Sequence, residues 1–264
     1  MRALTLFMIF LVSCSAQARE GAVVTAGLSL AQFDYVEEIS NGGASEEKGL
    51  MPFLELGYRA PLGESWELDL RFLGALQAKT DYSGTELNSG QKITAQNEHG
   101  IMDFEMLLSV FAAERVRIFG GGSVRRWDRK LTYGTGYREI YLWWTATLGG
   151  ALWVGQGDLW DFWVEAAVRP MISGSVNAIL SETVVNGEDS TLNLGTRVGY
   201  RLRLPWAMEI QPATLLVVAP FYEINGFGES APVYNATPGI QREIKEPSSH
   251  TTQTGLSLSL RFFL

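Results

Sequence analysis

The last nine residues put Leu256, Leu258, Leu260, Phe262 and Leu264 on one face of an extended chain, with Ser257, Ser259, Arg261 and Phe263 on the other. Successive side chains of a strand point to opposite faces, so this alternation predicts a strand with an apolar surface on one side and a polar one on the other. The same period of two recurs in 66–78, 102–112, 140–154, 162–172 and 192–204. In the first of these, Leu68, Leu70, Phe72, Gly74, Leu76 and Ala78 lie opposite Glu67, Asp69, Arg71 and Gln77. Weaker strands are predicted at 22–35, where the phase slips near Gln32 as at a β-bulge, and at 50–60, 116–127 and 208–223. Pro52, Pro212 and Pro220 each remove a ladder donor from these weaker segments. The total is about ten strands, with 8 or 12 as the neighbouring even numbers.

The connections divide into two classes. Short turns are predicted at 61–65, 113–115, 156–159 and 205–206, and longer polar stretches at 36–49, 81–92, 128–138, 177–191 and 224–251. They alternate strictly along the chain, which sends both termini to one end of an up-and-down antiparallel β-barrel, an all-β fold. Trp66, Trp153, Trp160, Trp163 and Trp206 all lie within a few residues of a short turn, as expected of an aromatic girdle at a membrane interface.

The alternating closing strand with its bulky apolar end resembles that of bacterial outer-membrane β-barrel proteins, here of OmpA or omptin size; Leu264 stands where the terminal aromatic is usual. The resemblance implies a transmembrane, porin-like barrel in the outer membrane of a Gram-negative bacterium. It implies contact with outer-membrane lipid and lipopolysaccharide, and insertion by the barrel assembly machinery. Residues 1–18 fit that setting: Arg2, an apolar stretch from 3 to 12 and the small-residue exit Ala16-Gln17-Ala18 read as a signal peptide, leaving 19–264 as one barrel domain. A competing reading of Leu11-Val12-Ser13-Cys14 is a lipobox that would lipidate Cys14.

Composition narrows the choice. With one Cys and 2 His, the 264-residue chain holds neither an internal disulfide nor a zinc cluster. A net charge of −8 argues against nucleic acid as a partner. No cofactor or metal is expected.

In this register the bore collects Glu55, Arg59, Asp69, Arg71, Asp103, Glu105, Arg117, Arg125, Glu139, Glu165, Arg169, Arg197, Arg201, Arg203, Glu209 and Arg261. A barrel of about eight strands has room only for its own side chains. Buried charges must pair, so the leading reading is a charge-paired, largely plugged bore. Its function would be structural or binding, through the exposed loops 36–49, 177–191 and 224–251 and an extracellular ligand. The alternatives are a narrow passive channel for ions or small polar solutes, and a hydrolase at the rim acting on peptide or lipid A.

The catalytic candidates are few. Gly136-Tyr137-x-Glu139 with Trp144-Thr145-Ala146-Thr147 is similar to a stretch of the omptin proteases, whose chemistry needs an Asp pair and an Asp–His pair. This chain has no Asp-x-Asp, and Asn97-Glu98-His99 carries Asn where the carboxylate belongs. His99 would need Glu98 or Asp103 to act as a general base; its plainer reading is an exposed rim residue. His250 follows Ser248 and Ser249, a spacing that by itself makes no nucleophile–base pair. An enzyme is therefore not the expected reading.

Overall fold

The computed structural model describes residues 21–39, 44–63, 65–85, 91–132, 136–156, 160–182, 188–237 and 240–264. Residues 1–18, read above as a signal peptide, fall outside the described residues, as does Cys14. Seven long strands open the chain: β1 (Val23–Glu38), β2 (Ala44–Pro61), β3 (Trp66–Thr85), β4 (Lys92–Ala113), β5 (Val116–Leu131), β6 (Tyr137–Gln156) and β7 (Trp160–Ile179). Four short pieces follow, β8 (Ser190–Asn193), β9 (Gly195–Thr196), β10 (Val198–Arg203) and β11 (Trp206–Gln211). Then come β12 (Thr214–Gly228), a small hairpin of β13 (Val233–Thr237) and β14 (Ile240–Ile244), and β15 (Ser248–Phe263).

Strands β1 to β7 pair in sequence, each antiparallel to the next. The four short pieces form one interrupted wall strand, because β8, β10 and β11 all pair with β7, while β9, β10 and β11 pair with β12. Strand β15 pairs with β12 on one side and with β1 on the other. The sheet therefore closes into an antiparallel barrel of ten wall strands.

Pro205 corrects the sequence reading. Residues 205–206 are not a turn: Trp206 continues the run of pairs with β7, opposite Phe162. Pro205 has no amide hydrogen, so it interrupts the ladder between β10 and β11 without reversing the chain. The reversal comes at Pro212-Ala213, where Ala213 takes φ of 60°. Pro212 thus sits in a turn, whereas Pro52 and Pro220 do lie within strands, as read. The predicted loop 224–251 is also shorter than expected, since β12 runs to Gly228, β15 begins at Ser248, and a hairpin occupies the middle.

Alternation then sets which side chains face out. On β4, Met102, Phe104, Met106 and Leu108 are 43–53% exposed, while Ile101, Asp103, Glu105, Leu107 and Ser109 are buried in the bore. Leu28, Leu54, Leu142, Leu148, Ile172, Tyr200, Leu202 and Leu258 continue the outward apolar surface around the wall. So broad an apolar surface on a monomer marks contact with lipid or another apolar partner.

The bore is not uniformly polar. Towards the end that carries the long loops, Phe33, Tyr35, Met51, Phe53, Ile101, Trp127, Tyr141, Trp143, Met171, Leu192 and Phe227 form a buried cluster. Its rings stack in series: Trp127 on Tyr141 with centroids 4.8 Å apart, and Tyr141 on Phe227 at 5.2 Å. Val233 and Ile244 of the hairpin formed by β13 and β14 pack against this cluster from the loop end. A second, smaller cluster of Leu107, Phe119, Ala151 and Ala167, with Trp163, lies towards the termini.

Close approach of strands depends on Gly121, where an added Cβ would stand 2.0 Å from the Met106 carbonyl oxygen of β4. Gly121→Val should therefore separate β4 from β5 and reduce the yield of folded barrel. The check is the fraction of unboiled protein that migrates ahead of the boiled form in a gel; an unchanged fraction would contradict the packing.

Candidate functional site

Three layers of charge cross the bore. Near the termini, Asp69 accepts from Arg59 Nη2 at 2.9 Å and from Arg71 Nη2 at 3.2 Å, and Arg117 Nη2 donates to Glu165 at 2.9 Å. At mid-height, Arg125 donates to Asp103 at 2.7 Å and to Glu223 at 2.6 Å. Arg169 lies 2.8 Å from Glu223, and Arg201 donates to Glu105 at 2.9 Å. Near the loops, Arg129 donates through Nε to Glu47 at 2.7 Å and through Nη1 to Glu139 at 2.8 Å and Glu37 at 3.1 Å. Its guanidinium also lies over the Tyr35 ring at 4.8 Å. Each layer bridges strands far apart around the wall, so it fixes bore shape as well as charge.

Of the residues placed in the bore from sequence, Asp69, Asp103, Glu105, Arg117, Arg125, Glu139, Glu165 and Arg169 are buried there. Arg59, Arg71, Arg201, Arg203, Glu55 and Arg261 line a cavity towards the termini. Two residues correct the reading. Glu209 is exposed at the rim. Arg197 follows the interruption between β9 and β10 and runs along the outer wall, over Gly226, to clamp Glu38 through bonds of 2.8 and 2.6 Å.

His99 is the clearest correction: it is buried at 2% exposure. Its Nδ1 accepts from Trp127 Nε1 at 2.9 Å, and its Nε2 lies 2.9 Å from Glu47 and 2.7 Å from Thr80 Oγ1. Its carboxylate partner is therefore Glu47, not Glu98, which pairs with Lys79, nor Asp103. A carboxylate–imidazole pair can serve as a base only if a substrate reaches it. Here both side chains have no exposed surface, and the His99 ring packs against Phe33 and Trp127. The pair satisfies buried polar groups.

His250 faces outward at the rim, 3.7 Å from Glu38. Ser248 shares its face, but the Ser248 hydroxyl accepts from the Glu229 amide, and the Ser249 hydroxyl is buried in the bore without a partner. Among the described residues no nucleophile stands within hydrogen-bond reach of His250. Tyr137 and Glu139 of the omptin-like stretch belong to the Arg129 layer: Glu139 accepts from Arg129.

The tryptophans divide. Trp66, Trp160 and Trp206 are 47–49% exposed on the outer wall. Trp153 and Trp163 share parity with the bore residues Ala151 and Glu165 and turn inward, Trp153 stacking under Arg115 and Trp163 packing on the Phe119 cluster.

Residues that sequence reasoning passed over are Glu37, Glu47, Arg129, Glu223 and Glu246. All five lie at strand ends or in segments read as loops; only the continuing period of two through Tyr35-Val36-Glu37 and Trp127-Asp128-Arg129 signals them. Glu246, between β14 and β15, is 7% exposed. Its carboxyl lies 2.8 Å from Tyr141 Oη, which also lies 2.9 Å from Glu139. One hydroxyl carries one proton, so the second contact requires a proton on a carboxyl. Burial, together with the charges of Glu139 and Glu37, holds the Glu246 carboxyl well above its usual range.

Comparison with known proteins places the fold. No protein-family profile matches the chain, and no curated protein matches it in sequence. Among solved structures, the chain is similar to the outer membrane protease OmpT from Escherichia coli, with a TM-score of 0.67 at 9% identity, covering 92% of this chain and 97% of that one. The translocator domain of the autotransporter NalP from Neisseria meningitidis matches at 12% identity over 97% of this chain and 95% of its own, but at a TM-score of 0.41 it adds no argument. At such identities the likeness establishes the fold, that of a bacterial outer-membrane β-barrel, and nothing about chemistry.

Two outcomes follow for the loop-end layer. Arg129→Met leaves Glu37, Glu47 and Glu139 buried without their shared cation and should cost about 3–5 kcal/mol in unfolding free energy. For Glu246 the folded-state pKa is raised, so its contribution is complete below the ordinary value of 4.5 and is lost as pH climbs through the raised one. Hydrogen exchange of residues 229–247 should accelerate with rising pH beyond the intrinsic rate, and Glu246→Gln should flatten that dependence.

Proposed function

We propose that this chain is an outer-membrane barrel with a closed bore, a rigid wall that carries surface loops and serves a structural or ligand-binding role outside the cell. The observation that carries the reading is the aromatic cluster across the loop end of the bore. Trp127, Tyr141 and Phe227 stack face to face there, Arg129 and three carboxylates brace them, and Val233 and Ile244 cover them. A passive channel needs a continuous wet path, which this filling opposes. The outward apolar wall supports the outer membrane of a Gram-negative bacterium as its location and outer-membrane lipid and lipopolysaccharide as its surroundings.

In that setting residues 1–18 serve as a cleaved signal peptide, or Cys14 carries a lipid, and the assembly machinery inserts the chain. The termini then face the periplasm, and the hairpin of β13 and β14 faces outward with the other long connections, where an extracellular ligand would meet them. A hydrolase would have to assemble around His250 and Glu38; turnover of peptide or lipid A that disappears in His250→Ala would favour that reading over the closed wall.

Two measurements test the proposal. Purified protein in planar bilayers should give no single-channel steps, and reproducible unitary conductance would favour the channel instead. Leu148, 66% exposed on the outer wall, should lie against hydrocarbon; Leu148→Arg should destabilise the vesicle-inserted barrel by about 2–4 kcal/mol, and no change would contradict membrane insertion.

A further inference from the structure

The layer nearest the termini does not balance. Arg59, Arg71, Arg117, Arg203 and Arg261 face the bore there against Glu55, Glu67, Asp69 and Glu165, five guanidinium groups for four carboxylates. The mid-height layer is neutral on its own, with Arg125, Arg169 and Arg201 matched by Asp103, Glu105 and Glu223. The surplus is Arg261, which has no carboxylate within 4.0 Å and no hydrogen bond among the described residues, although it is only partly accessible.

Other donors around it are also unspent. Arg71 uses Nε and Nη2 on Asp69, but its Nη1 is buried with no hydrogen-bond partner and meets a carboxylate only at 4.0 Å, that of Glu105. Arg203 reaches Glu55 only at 3.7 Å, and that carboxylate oxygen already accepts from Ser257 at 2.8 Å. All three side chains line one cavity of about 120 Å³. Its wall also carries Arg59, Arg125 and Arg201 and six carboxylates, Glu55, Asp69, Asp103, Glu105, Glu165 and Glu223, each of which already faces at least one arginine. A cation removed from bulk water and set among other cations is costly unless an anion joins it.

We propose that this cavity binds one small tetrahedral oxyanion, of phosphate or sulfate size, held by Arg71, Arg203 and Arg261. The guanidinium fork presents paired N–H groups that match the oxygens of such an anion. The volume admits an anion of that size with a few waters, a liquid water occupying about 30 Å³. The aromatic cluster closes the bore above, so the site is a dead end entered from the end that carries the termini. The anion neutralises the surplus charge, and the barrel binds it without passing it on. The site stands on the residues lining the bore and does not depend on the role of the loops.

The test uses the processed chain folded in a zwitterionic detergent at constant ionic strength, titrated with inorganic phosphate, sulfate or chloride. Thermal unfolding is followed by tryptophan fluorescence and binding by calorimetry. Phosphate and sulfate should bind one to one and, at a hundredfold excess over half-saturation, raise the midpoint by about 5 °C or more. Chloride should do neither. Arg261→Gln should weaken oxyanion binding at least tenfold and melt at a higher temperature than the parent in anion-free buffer, because like-charge crowding is relieved. Arg261→Lys should fall between the two, keeping the charge but not the fork. Lys92→Gln, an exposed change on β4, should leave binding untouched. If Arg261→Gln fails to fold, as its gel mobility would reveal, Arg203→Gln carries the same expectation of weakened binding. The proposal is overturned if binding does not saturate, if chloride matches phosphate, or if both arginine variants bind as the parent does.

Discussion

Closure of the sheet governs everything else in this molecule. A strand in hydrocarbon cannot leave its amide and carbonyl groups unpaired, and only a barrel without edges meets that condition with strands. Here the condition is met where the first and last strands join, Val23 to Glu38 against Phe263 to Ser248, sixteen consecutive residue pairs without a slip. That unbroken seam contrasts with irregularities elsewhere, between Ala75 and Ala78 on β3 and across the four pieces from β8 to β11. The wall tolerates local defects while the seam stays regular.

Once the wall is closed, its inner surface must fill the bore. The chain does this in two ways. Near the loops it uses a packed core of rings and aliphatic side chains around the Arg129 layer, with His99 paired between Trp127, Thr80 and Glu47. Further down it uses arginine–carboxylate layers, where the bidentate fork ties neighbouring and opposite strands together. Breaking one member of such a layer strands its partners in a site of low polarity, which makes the layers strong determinants of register.

Much of the wall could be read from the chain, and the reason is physical. Where one face meets an apolar surround and the other a polar bore, hydrophobicity alternates, and 66–78, 102–112 and 256–264 were legible for that reason. The signal fades where both faces are apolar. Phe33, Tyr35 and Trp127 point inward but resemble their outward neighbours, so that part of the aromatic filling leaves no signal, whereas the alternation over 140–154 does set Tyr141 and Trp143 inward. Pro205 signals a missing ladder donor, which does not distinguish an interruption from the reversal found at 212–213. His99 misled because its partner Glu47 lies 52 positions away in a segment read as loop. Strict alternation with Arg201 and Arg203 puts Arg197 inward, and the break between β9 and β10 reverses that parity. Partners so distant in sequence leave no local signature.

The central claim is that β1 and β15 close the barrel within one chain, in the register that sets Leu28 opposite Leu258 on the outer wall. Cysteines at both positions, in a Cys14→Ser background, test it by oxidation of the protein folded in lipid vesicles. Rapid formation of an intramolecular disulfide in monomeric barrel is the predicted result. Failure to cross-link, or cross-linking only between chains, would show that the first and final strands do not meet as described.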